Sequence, residues 1–234
     1  MKLHSYLFIG SERSLLFDTG LGIANIQPLA TSLTSKPISV VSTHAHWDHI
    51  GNHDLFSDIW IHPEEKDWLI DGYAKEEAEI REFLLERPFT TEPPHEFEIE
   101  NYRPPRCHPT KLIHDEESVD LGNRLITLYH TPGHSPGHIC AHEPARGYLV
   151  TGDLIYQGTL LAGLEHSAPL TYLESLQRVS RLPNINQLLP GHGRLEIKTD
   201  LIQEAIDAFQ QLKRTGQLEK GSGRHPFRRM LIHL

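Results

Sequence analysis

Apolar positions along the chain fall into short bursts that alternate between a period of two and a period near 3.6. Residues 3–9 and 14–17 read as two short strands joined by a turn at Gly10-Ser11 and stopped by Asp18-Thr-Gly20, which is a hairpin pattern. Residues 21–33 could form a helix. Residues 38–42 are a β-branched run and predict a buried strand that delivers the chain straight into Thr43-His44. A further short strand is expected at 59–61, and Pro63 should open a helix, since proline is tolerated in a first helical turn. Residues 75–86 are strongly helical, with Ile80, Phe83 and Leu84 on one face. Residues 119–129 divide into two strands around Gly122-Asn123, and 139–141 and 148–151 flank a turn at Ala145-Arg-Gly147. Leu170, Leu173, Leu176 and Val179 mark an amphipathic helix that ends before Pro183. Residues 187–189 predict a strand that runs into Pro190-Gly-His-Gly193. Ile202, Ala205, Ile206, Phe209 and Leu212 mark a last helix.

One stretch breaks the alternation. Residues 87–109 carry six prolines, Pro88, Pro93, Pro94, Pro104, Pro105 and Pro109, which no central strand or long helix can sustain. Periodic structure resumes beyond it, so residues 87–110 are expected to be an irregular excursion within one domain spanning 1–234. A chain of 234 residues is long enough for a sizeable core, and 38% hydrophobic with 23% charged residues is an ordinary globular composition. The net charge of −9 argues against nucleic acid as the main partner. Two cysteines, Cys107 and Cys140, make neither a disulfide framework nor a CxxC zinc site, which fits a reducing cytoplasm. The N-terminal segment lacks a signal-peptide pattern, and no apolar run is long enough to span a membrane. Oligomeric state is not legible; a homodimer is one option.

Histidine is over-used, at 17 residues, and its placement carries the chemistry. Thr43-His-Ala-His-Trp-Asp-His49 puts His44, His46, Asp48 and His49 within six residues. His134, Asp153 and His192 follow, each in a glycine-rich turn at the end of an expected strand. Imidazole and carboxylate are ligands for zinc and similar ions. His44 and His46 alternate by two and can grip one metal from an extended stretch. Asp48 and His49 lie beyond a bend and can face a second metal. Asp153 could bridge the two.

These motifs resemble those of the metallo-β-lactamase superfamily. His-Ala-His-Trp-Asp-His looks like its HxHxDH signature, and His134 in Pro-Gly-His-Ser-Pro-Gly-His138, Asp153 in Thr-Gly-Asp and His192 in Pro-Gly-His-Gly match the remaining motifs in order. Asp18 in Phe-Asp-Thr-Gly matches the early DTG turn. The resemblance covers nearly the whole chain. It implies an α+β fold, a four-layer αββα sandwich with the site at the edge between the sheets. It also implies one metal on His44, His46 and His134, a second on Asp48, His49 and His192, and Asp153 between them. Retention of the complete set resembles the glyoxalase II and stand-alone thioesterase or lactonase branches. His134 and His138 compete for one ligand position; family register favours His134 and leaves His138 a supporting role.

The expected cofactors are two divalent ions, zinc first, with iron or manganese as alternatives. Such a site would generate hydroxide near neutral pH and direct it at the carbonyl of a thioester, or of a related ester or lactone, with Asp48 orienting the nucleophile and taking up its proton. The substrate is expected to be a small molecule. The alternatives are a mononuclear iron enzyme resembling the persulfide dioxygenases, or a phosphodiesterase. Asp18 is a candidate for holding an imidazole in its working tautomer. Tyr156 and His166 are candidates for contacting substrate, although packing alone would explain Tyr156. His53 and five other histidines, His4, His62, His95, His108 and His114, carry no motif. Asn52 stands where many relatives have a second glycine, and no function is read into it. The basic run Arg224-His-Pro-Phe-Arg-Arg229 could meet a substrate anion, but a solvated tail is the simpler expectation.

Overall fold

Strand β1 (Tyr6–Ile9) and strand β2 (Ser14–Phe17) pair antiparallel across the expected turn. The computed structural model describes residues 2–72, 76–86, 89 and 91–234. Alternation along β2 sends its side chains two ways. Leu15 and Phe17 enter a core shared with the second sheet, while Leu16 packs with Ala30, Val40 and Phe56 on the outer face. Ala30 belongs to helix α1 (Gln27–Leu33), which covers that face. Strand β3 (Ile38–Val41) runs parallel to β2, β4 (Ile59–Ile61) parallel to β3, and the two-residue β5 (Lys111–Leu112) parallel to β4. Between β4 and β5 lie helices α2 (Lys66–Asp71) and α3 (Glu77–Leu85).

The second sheet is an antiparallel meander, β6 (Glu117–Asp120), β7 (Leu125–His130), β8 (Ile139–Glu143) and β9 (Tyr148–Gly152). After the short β10 (Thr159–Leu161) and helix α4 (Pro169–Val179), strand β11 (Gln187–Pro190) joins the edge parallel to β9. Ile126, Leu128, Ala141 and Val150 face Phe8, Leu15 and Phe17 between the sheets. On the other face, Cys140, Leu149 and Leu188 pack under α4 and the last helix, α5 (Leu201–Arg214), where Tyr172 stacks on Phe209 with ring centroids 4.8 Å apart. The layers are therefore helix, sheet, sheet, helix, as the αββα expectation required. No helix among the described residues is long and apolar enough to cross a membrane.

Several boundaries differ from those expected. The helix foreseen over residues 21–33 begins only at Gln27. Gly22 adopts φ +77°, and a side chain on Gly51 would lie 2.2 Å from the backbone of Leu21 and Gly22. The chain here is pressed against the His-rich loop and cannot wind into a helix. Pro63 opens a single 3₁₀ turn (Pro63–Glu65) before α2. The helix expected over 75–86 is α3; Lys75, like Arg87 and Pro88 of the excursion, lies outside the described residues. The described residues of the excursion are irregular apart from one 3₁₀ turn (Ile99–Asn101), and Tyr102 is buried edge-on to Trp47, with ring centroids 6.4 Å apart.

The solvated tail is a correction. Strands β12 (Arg224–Pro226) and β13 (Leu231–His233) form a three-stranded sheet with β10, and Met230, Ile232 and Leu234 join the core under α4 and α5. Arg229 is tied by its Nε to Glu204 at 2.6 Å and by its Nη1 to Asp200 at 2.9 Å. The alternation of Met230, Ile232 and Leu234 was the available signal, masked by the arginines before it. Ile232→Ala should lower the free energy of unfolding by about 2–4 kcal/mol in chemical denaturation. Leu170→Ala, on the exposed side of α4, should stay within about 0.5 kcal/mol of wild type.

Candidate metal centre

The centre forms where β2, β3, β7, β9 and β11 release the chain at one edge of the sandwich. Asp18 follows β2 with φ +56°, a left-handed conformation that aspartate tolerates better than most side chains. The turn brings its carboxylate beneath the loop that follows β3. Oδ1 accepts from the Thr43 backbone N–H at 2.7 Å, and Oδ2 accepts from Thr43 Oγ1 at 2.7 Å and from His49 Nδ1 at 2.8 Å.

These bonds settle the tautomers. A carboxylate can only accept, so His49 carries its proton on Nδ1 and turns Nε2 to the centre. The Thr43 hydroxyl proton is committed to Asp18, so its oxygen accepts from His44 Nδ1 at 3.0 Å, leaving a lone pair on His44 Nε2. His134 Nδ1 donates to the Leu161 carbonyl at 2.9 Å, and His192 Nδ1 to the Lys2 carbonyl at 2.9 Å. Four imidazoles thus point Nε2 inward, and His46 contributes Nδ1, 3.1 Å from His134 Nε2.

The structure gathers all seven expected ligands. His44, His46 and His134 bring nitrogens within 4.8 Å of one another, and so do Asp48, His49 and His192 with their ligand atoms. Asp153 reaches both groups: Oδ1 is 3.4 Å from His49 Nε2, and Oδ2 is 3.6 Å from His134 Nε2 and 3.3 Å from His192 Nε2. A side chain on Gly191 would lie 2.7 Å from Asp153 Oδ1, so that turn has room only for glycine.

The donor set fits metal ions. His44 Nε2 and Asp153 Oδ1 are buried with no hydrogen-bond partner among the described residues, a costly state unless a cation faces them. His49 Nε2 and His192 Nε2 stand 3.3 Å apart, and both would be lone pairs if neutral. Burial opposes charge on both rings, yet Asp153 and Asp48 push His49 up to about 10 and His192 up to about 11. Positive charge is required between them, as a proton or as a metal. Burial, reinforced by the neighbouring imidazoles, holds His44 and His46 well below the usual range.

The candidate supporting residues occupy distinct places. His138 Nε2 accepts from the Asp153 backbone N–H at 3.1 Å while its Nδ1 meets Thr131 Oγ1 at 2.8 Å. Tyr156 lines the cleft above the centre, but its hydroxyl donates to the Thr159 carbonyl, so its ring rather than its proton is available there. His166 Nε2 is 2.9 Å from His46 Nε2, edge-on to Trp68 with ring centroids 4.8 Å apart.

Three residues escaped sequence reasoning. Glu65, fully buried, accepts from the Ala45 and Gly137 backbone N–H groups and so ties the two ligand loops together; burial pushes its carboxyl up to about 7. His53 bridges Thr19 Oγ1 and Ser42 Oγ, each at 2.7 Å, and burial pushes it down to about 3. Asn52 binds Thr19 through Nδ2 to its carbonyl and through its backbone N–H to its hydroxyl, both at 2.9 Å. No motif marked Glu65 or His53, because their partners are distant in sequence.

Comparison with known proteins places the chain in a family. Residues 3–192 match the metallo-beta-lactamase superfamily. The chain is 31% identical over 203 residues to an acyl-coenzyme A thioesterase, MBLAC2, of Gallus gallus, covering 82% of this chain and 72% of that one. It is 27% identical over 213 residues to the probable metallo-hydrolase YqgX of Bacillus subtilis (strain 168), covering 87% and 90%. Among solved structures it is similar to TTHA1623 in a di-iron-bound form, with a TM-score of 0.63, 25% identity and coverage of 88% and 93%. The chain belongs to the metallo-beta-lactamase superfamily. It is a hydrolytic enzyme of that superfamily.

Asp18→Asn should weaken metal binding about ten- to hundredfold in a chelator competition, because it disturbs the support of both His44 and His49. Glu65→Ala should cost roughly 2–4 kcal/mol in chemical denaturation, by stranding two buried N–H groups. A pH effect follows from His53. Its folded pKa is about 3 against 6.5 for the free side chain, so the fold holds it neutral. Stability is complete above pH 6.5 and is lost as pH falls toward 3, while the unfolded chain binds the proton. His53→Gln should flatten the acid limb of a denaturation-midpoint profile.

Proposed function

We propose that the chain is a dinuclear metal-dependent hydrolase of thioesters, or of closely related esters or lactones. The observation that carries this reading is the pair of facing donor triads with Asp153 between them. His44, His46 and His134 would hold one ion, and Asp48, His49 and His192 the other. What two divalent ions supply when bound there is Lewis acidity and water acidified to near neutral pH. Zinc is the first expectation for this donor set; iron remains in play because the similar TTHA1623 is described as di-iron-bound.

The protein groups supply position and proton transfer. Asp48 lines the cleft, with Oδ2 3.3 Å from His192 Nε2. Although burial pushes its carboxyl up, His49 and His192 bring it below the usual range, so it is ionised at neutral pH and able to orient water and accept its proton. The apolar walls at Phe83, Leu161 and Leu164 suit an acyl chain. The identity to a protein named as an acyl-coenzyme A thioesterase supports a thioester over the other carbonyl substrates.

Removal of metal by a strong chelator should abolish hydrolysis of an acyl-thioester panel, and readdition of about two ions per chain should restore it. Asp48→Asn should lower kcat by about 10²–10⁴ with the fold intact by circular dichroism. Wild-type turnover by His46→Ala, or full activity in the chelated protein, would overturn the reading.

A further inference from the structure

The cleft over the centre, about 560 Å³ in volume, has two chemically different ends. Leu161 and Leu164 line the end beside His134, whose Nδ1 is held by the Leu161 carbonyl. Lys2 and Arg194 line the end beside His192. The N-terminal segment is fastened there. His192 Nδ1 donates to the Lys2 carbonyl, the His4 backbone N–H donates to the Gly191 carbonyl at 2.9 Å, His4 Nε2 bonds the Gly193 carbonyl at 2.9 Å, and Tyr6 Oη donates to the Pro190 carbonyl at 2.7 Å. The backbone that carries Lys2 is therefore part of the floor of the site. Lys2 and Arg194 are exposed, and neither makes an ion pair with a described residue. Two unpaired cations on one side of a cleft are conspicuous in a chain with net charge −9.

We propose that Lys2 and Arg194 form an anion subsite that holds a phosphate or carboxylate on the thiol-carrier side of the substrate, while the acyl group lies at the Leu161–Leu164 end. The substrate is then amphipathic: an apolar acyl group, the scissile carbonyl over the centre, and an anionic carrier. This deepens the thioester reading and rests on it for orientation. The anion contact itself is independent of turnover. Arg194 supplies a planar fork for paired oxygens, and Lys2 a compact charge.

The test separates the two. Metal-loaded wild type and Lys2→Ala/Arg194→Ala are compared on thioesters sharing one acyl group but differing in carrier: coenzyme A (phosphate), glutathione (carboxylate) and N-acetylcysteamine (neutral). Exposed ion pairs contribute roughly threefold each, so the double variant should raise KM for the preferred anionic carrier about tenfold relative to the neutral one. The preferred carrier identifies phosphate or carboxylate as the natural group. Lys2→Arg should largely rescue, and in wild type the preference should shrink as salt shortens the screening length. Calorimetric titration with free coenzyme A and glutathione, against neutral pantetheine, gives a second readout without catalysis. Carrier-selective binding lost in the double variant, in a protein that cleaves no thioester, upholds the subsite and overturns the thioesterase reading. An equal change for charged and neutral carriers, or none for any, overturns the subsite.

Discussion

The centre depends on one buried carboxylate. Asp18 accepts from the Thr43 backbone, the Thr43 hydroxyl and His49 Nδ1, and through Thr43 it also sets the proton on His44. A single side chain therefore fixes where the His-rich loop leaves β3 and which nitrogen two imidazoles present. It can do so because β2 and β3 are adjacent and parallel, so both strands end at the same edge. The left-handed turn at Asp18 is the local strain accepted for that position.

The other supports follow the same logic. Each candidate ligand comes from a loop, and buried polar contacts tie these loops to their neighbours. Glu65 joins the loop of His44 and His46 to that of His134, and His138 holds the backbone of Asp153. The hydroxyl of Tyr172 grips the carbonyls of Asp153 and Leu154, both at 2.8 Å. Carbonyls of Lys2 and Leu161 orient His192 and His134. The apolar core between the sheets keeps the strand ends in place, and these contacts convert that placement into facing lone pairs. A cluster of donors this dense is unfavourable by itself, which is why its members either take up protons or call for metal ions.

Legibility in the sequence followed the range of the interactions. β2, β3, β4, α4 and α5 were legible because their periodicity is local and the faces it defines are largely the faces they bury, Leu170 at the start of α4 being the exposed exception. The helix expected from residue 21 failed at its first half, where close approach of Gly22 and Gly51 overrides helical propensity. The arginines of the C-terminal tail suggest solvent, whereas Arg229 is paired with Asp200 and Glu204 at the start of α5 and its apolar neighbours are core. Of the site, the seven clustered donors and Asp18 were visible as residue types in family register. Tyr156 was visible only as a neighbour of Asp153, and its hydroxyl turns out to be committed to Thr159.

What the sequence determined by itself was the inventory: which residues carry metal-binding atoms, which segments alternate, and where glycine and proline force turns. Those properties reside in single residues and short windows. Only the tertiary structure decided the tautomers of His44, His49, His134 and His192, the joining of the candidate ligand loops through Glu65, the burial of His53, and the fastening of Lys2 beside His192. Most of these need a partner tens to nearly two hundred residues away, and a hydrogen bond acts only over about 3 Å, a distance that folding alone can close.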